Sequence, residues 1–263
     1  MLQRLIFIII SVFIFNTAYA QDSIVDQEVK VNQQFWLDYN FTNIFNENQN
    51  LNTQIGFRKI TPEIYDRFLV HSTLNIKNNK KLRDFKNEEP FIKSFHLGAG
   101  LIYTQNYDQN DNFELRLVQG LKFEIPTIKP ITLYNYVRFE ERFQNAFNNS
   151  GWTSAFRFRY KISTILSWNK HYLSFTKGVY IPLQAEFFFN LKKADRFNDL
   201  IRISPGIGYR TESDWRFELY LVFNRTKNIT ESNNKSSDFI LRLRLYNGNS
   251  KKKELNINEE DGF

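Results

Sequence analysis

Cysteine is absent from the sequence, and histidine is scarce. The absence of cysteine excludes disulfide bonds, thiolate metal sites and a lipid-modified cysteine after export. The three histidines, His71, His96 and His171, are scattered along the chain, and no paired-histidine motif of a zinc enzyme occurs. We therefore predict no metal site and no cofactor, and we expect hydrogen-bonded strands and packing alone to stabilise the protein.

Long apolar runs are missing beyond the N-terminal segment. Residues 1–20 combine Arg4, an apolar core from Leu5 to Phe15 and an Ala-x-Ala ending, a pattern typical of a cleaved secretory signal peptide. This core is shorter than the roughly 20 apolar residues of a membrane-spanning helix, and no later stretch is longer. We therefore exclude a helical membrane protein and expect an exported chain.

A basic arm or basic helix is also missing. The net charge is +7 and the isoelectric point is about 9.4, values that would fit a nucleic-acid-binding protein. The basic residues, however, alternate with apolar residues along extended segments. Because this distribution forms no basic stripe or tail, we predict no nucleic-acid partner.

The chain does contain a recurring two-residue alternation of apolar and polar side chains. In residues 132–143, TLYNYVRFEERF, the charged Arg138, Glu140 and Arg142 occupy every second position and Phe139 lies between them. Successive side chains of a strand point to opposite faces, so this pattern predicts a strand with one charged and one apolar face. Segments of this kind are predicted at 33–45, 50–60, 67–77, 93–105, 112–125, 131–144, 153–166, 177–191, 199–211, 214–225 and 236–247.

Two all-β architectures can use such strands, and they turn the two faces in opposite directions. An exported soluble barrel buries the Phe/Leu face, whereas an outer-membrane barrel turns that face to lipid and the charges inward. Segments of about 10 to 15 residues favour membrane-crossing strands over the shorter strands of soluble proteins. Aromatic residues make up 17% of the chain. Trp152, Tyr160, Tyr209, Trp215 and Tyr246 lie near segment ends, where aromatic girdles form.

We therefore predict an all-β fold, an antiparallel up-and-down transmembrane β-barrel in the cell outer membrane. Because bacterial single-chain barrels have even strand numbers, we favour 12 strands over 10 and expect a missed strand within 168–191. The predicted organisation is a signal peptide at 1–20, a short N-terminal segment at 21–32, the barrel at 33–247 and a polar tail at 248–263. Outer-membrane lipid and the barrel-assembly machinery are the expected partners.

The charged face is the candidate functional feature. Eight arginines and four glutamates of this face predict either a salt-bridge network that fills a narrow barrel or a solute-selecting channel lining. A wet lining with this surplus of arginine would prefer anions. The sequence does not indicate which solute. The predicted interior residues are Glu114, Arg116, Arg138, Glu140, Arg142, Arg157, Arg159, Glu186, Arg216, Glu218, Arg242 and Arg244.

The order of several of these motifs along the chain carries a family resemblance. The pieces are FWLDYNF, GFRK, HLGAGLIYTQ, FELRLVQGLKF, YVRFEERF, FRFRYKI, LQAEFFFN, IRISPGIGYR and WRFELYLVF, and the similarity that they carry covers the chain from about Phe35 to Tyr246. In this order they resemble the domain of unknown function 2490 family of Gram-negative outer-membrane β-barrels. The most specific pieces are Glu114-x-Arg116 with Gln119, Arg138-x-Glu140-x-Arg142, and Arg157-x-Arg159. The resemblance implies a barrel and brings no known activity.

A barrel-embedded lipid-modifying enzyme is one alternative, and an exported soluble β-barrel that binds a ligand is another. The enzyme would need a serine beside a histidine that a third group orients. Ser94 shares a strand face with His96, but no G-x-S-x-G motif occurs. We therefore predict no catalytic residue.

Overall fold

The described part of the chain is a ring of β-strands. The computed structural model describes residues 30–61, 65–78, 92–107, 110–125, 132–147, 151–167, 178–192, 199–211, 213, 215–227 and 235–248. The predicted signal peptide, most of the short N-terminal segment and nearly all of the polar tail lie outside these residues. The strands are β1 Lys30–Asn46, β2 Gln49–Thr61, β3 Tyr65–Lys77, β4 Ile92–Asn106, β5 Asn112–Ile125, β6 Leu133–Asn145, β7 Trp152–Ser167, β8 Val179–Lys192, β9 Asp199–Arg210, β10 Arg216–Lys227 and β11 Lys235–Gly248.

The sheet closes on itself. Each strand pairs antiparallel with its neighbour in sequence, and β1 pairs parallel with β11, for example with Trp36 opposite Arg242. The prediction of an all-β, up-and-down barrel is confirmed. The described strands number eleven, between the two predicted values. An odd number follows from the parallel closure, because the first and last strands then run in the same direction.

The odd strand number also determines at which end of the barrel the first strand begins and the last strand ends. We call the end at which β1 begins the N-terminal rim and the other end the opposite rim. Strand β11 ends at the opposite rim, so β1 begins and β11 ends at different ends of the barrel. The two longest connections, residues 78–91 and 168–178, both join strands at the opposite rim.

Side-chain burial alternates along the strands in the order that the sequence pattern predicts. On β10, Glu218, Tyr220 and Val222 are buried, whereas Leu219 and Leu221 point outward and Leu221 is 59% exposed. The interior is therefore mainly polar and charged, and the outside is mainly apolar. Tyr246 differs from its predicted place in an outer girdle, because it is buried inside the barrel under Arg216 and Arg244.

Glycines make room for large side chains in this narrow interior. Gly208 pairs with Tyr180, and a Cβ at Gly208 would meet the Tyr180 ring. Gly206 lies in the same way against the Tyr220 ring. Small and large residues thus alternate across the interior, as in other filled barrels.

No helix in the described residues is long and apolar enough to cross a membrane.

Candidate functional site: the charged interior of the barrel

The strands bring the twelve residues of the predicted network onto the interior face. They lie on β5, β6, β7, β8, β10 and β11, and eleven of them are buried. Arg116 is the partly exposed member. Their positions follow from strand geometry, because residues two apart on one strand share a face and neighbouring strands extend that face sideways.

Glu140 on β6 is the hub of the network. Its side chain is fully buried, at 0% exposure. Arg138 Nε lies 2.9 Å from Glu140 Oε1, and Arg159 Nη1 donates to the same oxygen over 2.8 Å. Arg157 Nη2 donates to Oε2 over 2.5 Å, and Arg116 Nη1 lies 4.0 Å from that oxygen. One carboxylate therefore holds arginines of β5, β6 and β7 together.

Glu114 on β5 anchors the network on one side of this hub. Arg142 binds Glu114 with two parallel hydrogen bonds, of 3.0 Å from Nε and 2.8 Å from Nη2. Arg116 donates to Glu114 Oε1 over 2.6 Å, and Gln144 donates to Oε2 over 2.7 Å. Such two-point guanidinium–carboxylate pairs fix orientation as well as charge. The arrangement locks the register of β5 against β6.

The network continues from the hub towards β8 and β9. Arg159 Nη2 donates to both oxygens of Glu186 over 2.9 Å. Arg202 on β9 donates to Glu186 over 3.1 Å and to Asp199 over 3.3 Å, and Arg157 also donates to Asp199 over 3.3 Å. Ion pairs thus cross the interior continuously from β5 to β9.

A second ion-pair cluster lies where the barrel closes. Asp38 on β1 is 0% exposed and accepts hydrogen bonds from Arg58 on β2, at 3.0 Å, and Arg242 on β11, at 2.6 Å. The sequence analysis missed Asp38 and Arg58, as well as Arg202 and Asp199 on the other wall. A signal was present, because FWLDYNF, GFRK and IRISPGIGYR each place a charge between outward-facing residues.

Tyrosines surround the remaining interior glutamate, Glu218 on β10. Tyr180 donates to Glu218 Oε1 over 2.7 Å, and Tyr220 donates to Oε2 over 2.8 Å. Gln184 donates in turn to the Tyr220 hydroxyl over 3.0 Å, and Arg244 Nη1 lies 3.8 Å from Glu218. These two aromatic side chains lie against Gly206 and Gly208 of the intervening strand β9.

Two interior aromatic rings are surrounded by arginine. Trp36 has the guanidinium carbons of Arg58, Arg202 and Arg242 at 3.9, 5.0 and 5.5 Å from its ring centroid. Phe188 has those of Arg159, Arg157 and Arg202 at 4.5, 5.1 and 5.1 Å. Guanidinium groups stack favourably on aromatic faces when both are removed from water. Arg202 connects the two rings.

Positive charge exceeds negative charge in the buried interior. Among the described residues, nine arginines and lysines and six aspartates and glutamates are buried. Asp38 on β1 and Asp238 on β11 thus reduce the surplus expected from the sequence but do not remove it. Buried charge must be paired or hydrated, because an uncompensated ion in a low-dielectric interior costs several kcal/mol.

A cavity of about 140 Å³ lies inside the barrel. Its wall includes residues from the beginnings of β1 and β11 and from the end of β10, so it lies in the half nearer the N-terminal rim. The residues of the wall include Trp36, Arg58, Arg159, Arg202 and Arg242.

The interior histidines form no catalytic or metal site among the described residues. Ser94 Oγ lies 2.8 Å from His96 Nε2, but His96 Nδ1 makes no hydrogen bond with a described side chain or backbone group that could orient the ring. His71 Nδ1 lies 3.3 Å from Thr73 Oγ1. No group of three potential metal ligands occurs in the described ranges. Within the described ranges, His96 therefore has a serine beside it but no third group that orients its ring.

Comparisons with known proteins identify a family. A search of curated proteins found no significant match, and a search of solved structures found none either. The model of a family described as "Protein of unknown function (DUF2490)" matches residues 33–235, which include β2 to β10 and all but the first three residues of β1. Because this match covers well over half of the chain, the protein belongs to the DUF2490 family.

Proposed function

We propose that the protein is a β-barrel of the outer membrane, exported through the signal peptide at 1–20. The observation that carries this proposal is the apolar outer surface. Every strand except β6 contributes an exposed large hydrophobic residue, and the outward Val137 and Phe139 of β6 are half-buried. A soluble protein rarely exposes apolar side chains around its whole circumference, whereas lipid solvates such a surface. Representative outward residues are Phe35, Ile55, Val70, Leu101, Leu117, Phe189, Ile207, Leu221 and Leu241.

The same proposal assigns the interior a closed, structural role. Arg138, Glu140, Glu218, Tyr220 and Arg244 are all less than 3% exposed, and they come from opposite sides of the ring. An ion pair fixes Arg138 on Glu140 at one side of the lumen, and a hydrogen bond and an ion pair fix Tyr220 and Arg244 on Glu218 at the other. The barrel acts as a membrane scaffold whose interior network holds its register, and water does not flow through it as through a porin.

Cell fractionation and planar-bilayer recording test these two parts separately. We expect the mature protein in the outer-membrane fraction, and recovery mainly in the soluble periplasm would contradict the location. The purified protein should insert without steady current under conditions in which an open porin, inserted by the same protocol, conducts. A stable current of porin size would contradict the closed interior.

A narrow anion channel is the second candidate function, because the cavity and the surplus of positive charge both lie on the interior. In this case small currents would prefer anions, since a positive lining attracts them and repels cations. The double variant Arg138→Gln with Arg157→Gln should reduce the preference. A cation-selective current would exclude this candidate.

A further inference from the structure

The cavity near the N-terminal rim has a wall that is rich in positive charge. Among the described residues, eight arginines and two carboxylates, those of Asp199 and Asp238, line it. The other lining residues are polar or aromatic, with a few aliphatic side chains. The arginines are Arg58, Arg67, Arg116, Arg138, Arg157, Arg159, Arg202 and Arg242.

Five of these arginines form what we call the arginine cage: Arg58, Arg157, Arg159, Arg202 and Arg242. They stack on the rings of Trp36 and Phe188, with every guanidinium carbon 3.9 to 5.5 Å from a ring centroid. Carboxylates fix the same groups. Asp38 holds Arg58 and Arg242, and Glu186 holds Arg159 and Arg202. Arg157 is held by Glu140 and by Asp199 of the cavity wall. The cage is therefore held in place before any ligand arrives.

Among the buried donors of the cavity wall, Nη1 of Arg58, Nε of Arg159 and Nε2 of Gln54 make no hydrogen bond with a described residue. Gln54 is 3% exposed, and both Gln54 and Arg58 lie on the interior face of β2. A buried N–H group requires an acceptor, and a cavity is where that acceptor can lie.

We propose that this cavity binds a small tetrahedral oxyanion of the phosphate class. Guanidinium groups approach it from the β2 and β11 wall and from the β7 and β9 wall, so an anion with acceptor oxygens in several directions fits better than a planar carboxylate. The volume of about 140 Å³ resembles that of cavities that hold a benzene-sized molecule. It therefore accommodates one phosphate or phosphate monoester and excludes a nucleotide or an oligosaccharide. The site exists whether or not the barrel conducts.

The proposal is tested by measuring the melting temperature of the full mature protein in detergent and by calorimetric titration. Inorganic phosphate is the probe in both measurements. Ionic strength is matched with sodium chloride throughout. We expect phosphate to raise the melting temperature and to bind with one site per chain. Sulfate should have a similar effect, and acetate a clearly smaller one. No shift beyond that of matched chloride would mean that water alone hydrates the arginines, which would overturn the proposal.

Three substitutions on β2 distinguish the effect of an added charge on phosphate binding from the effect of a changed side-chain shape. Gln54→Glu places a carboxylate in the cavity, so it should weaken phosphate binding at least tenfold and raise the melting temperature without phosphate. Gln54→Met removes the amide without adding charge and should weaken binding far less. Asn52→Asp adds the same charge two residues along the same interior face, outside the cavity wall. Asn52 also keeps its acceptor role to Thr42 in this variant, because Oδ1 is retained.

If Gln54→Glu weakens phosphate binding more than Asn52→Asp does, the anion lies in the cavity. Equal phosphate affinity in Gln54→Glu and the parent would overturn the proposal, as would equal losses in the two charged variants. Glycerol 1-phosphate, a mimic of a lipid headgroup, distinguishes the source of the phosphate group. Binding tighter than that of inorganic phosphate assigns the site to a phosphate ester, and weaker binding assigns it to the free ion.

Discussion

Neutralising the hub of the interior network is the perturbation with the clearest expected effect. Glu140→Gln keeps the shape of the side chain and removes its negative charge. Arg138, Arg157 and Arg159 then surround a neutral amide at distances of 2.5 to 2.9 Å. The new amide N–H₂ group also faces guanidinium donors, so at least one hydrogen bond becomes a donor–donor contact.

The expected loss of stability follows from the burial of the hub. A unit charge pair at about 4 Å is worth roughly 4 kcal/mol at an effective dielectric constant of about 20, and Glu140 makes several such pairs. The carboxylate's own desolvation cost is removed with the charge, which offsets part of this loss. Breaking a buried ion pair by removing one partner costs about 3 to 5 kcal/mol in other proteins, and we expect Glu140→Gln to lie in this range.

Guanidinium chloride unfolding in phospholipid vesicles, followed by tryptophan fluorescence, measures this loss. The matched control is Glu141→Gln, the same chemical change on the next residue. Glu141 points to the other face, where it accepts a 3.5 Å hydrogen bond from Gln119. We expect the control to lose less than about 1 kcal/mol, because a charge on the lipid-facing side does not stabilise a barrel. A loss of this small size for Glu140→Gln, or equal losses for the two variants, would refute the network as the source of stability.

Two further predictions concern the outer face and the tyrosines. Phe158 points outward and packs on Phe189 at a ring-centroid distance of 6.0 Å. Phe158→Arg should cost about 2 to 4 kcal/mol in vesicles and Phe158→Leu little, and equal tolerance of both would show that the faces are reversed. Tyr180→Phe removes the 2.7 Å hydrogen bond to Glu218, so it should cost about 1.5 to 3 kcal/mol in the same unfolding assay. An unchanged free energy would mean that Glu218 is satisfied without Tyr180.

The alternation of apolar and polar residues predicted the strands well, because each strand is amphipathic on its own. All eleven segments of the sequence analysis overlap strands β1 to β11, and TLYNYVRFEERF places Arg138, Glu140 and Arg142 inside as its alternation implies. The closure of the barrel could not be predicted from such a pattern, since it depends on how the first and last strands meet. The even-number rule for bacterial barrels favours 12 strands. The parallel pairing of β1 with β11 closes the ring with eleven.

The pairing of interior charges could be predicted only in part. Glu114 and Arg142 lie on consecutive strands, so the register of one hairpin brings them together. Asp38 and Arg242 are separated by 204 residues, and they meet only because the barrel closes at that seam. The arginine cage likewise draws on strands that are not neighbours, so no single-strand pattern could reveal it.

The central claim is that lipid surrounds the apolar outer face, and site-directed spin labelling tests it most directly. The chain has no cysteine, so Leu219→Cys, Leu221→Cys and Leu241→Cys each give one labelling site on an outward position that is 42 to 59% exposed. In vesicles, we predict that the attached nitroxides collide frequently with oxygen, which concentrates in the bilayer, and rarely with a water-soluble nickel complex. Frequent collisions with the nickel complex and few with oxygen at all three positions would contradict the account.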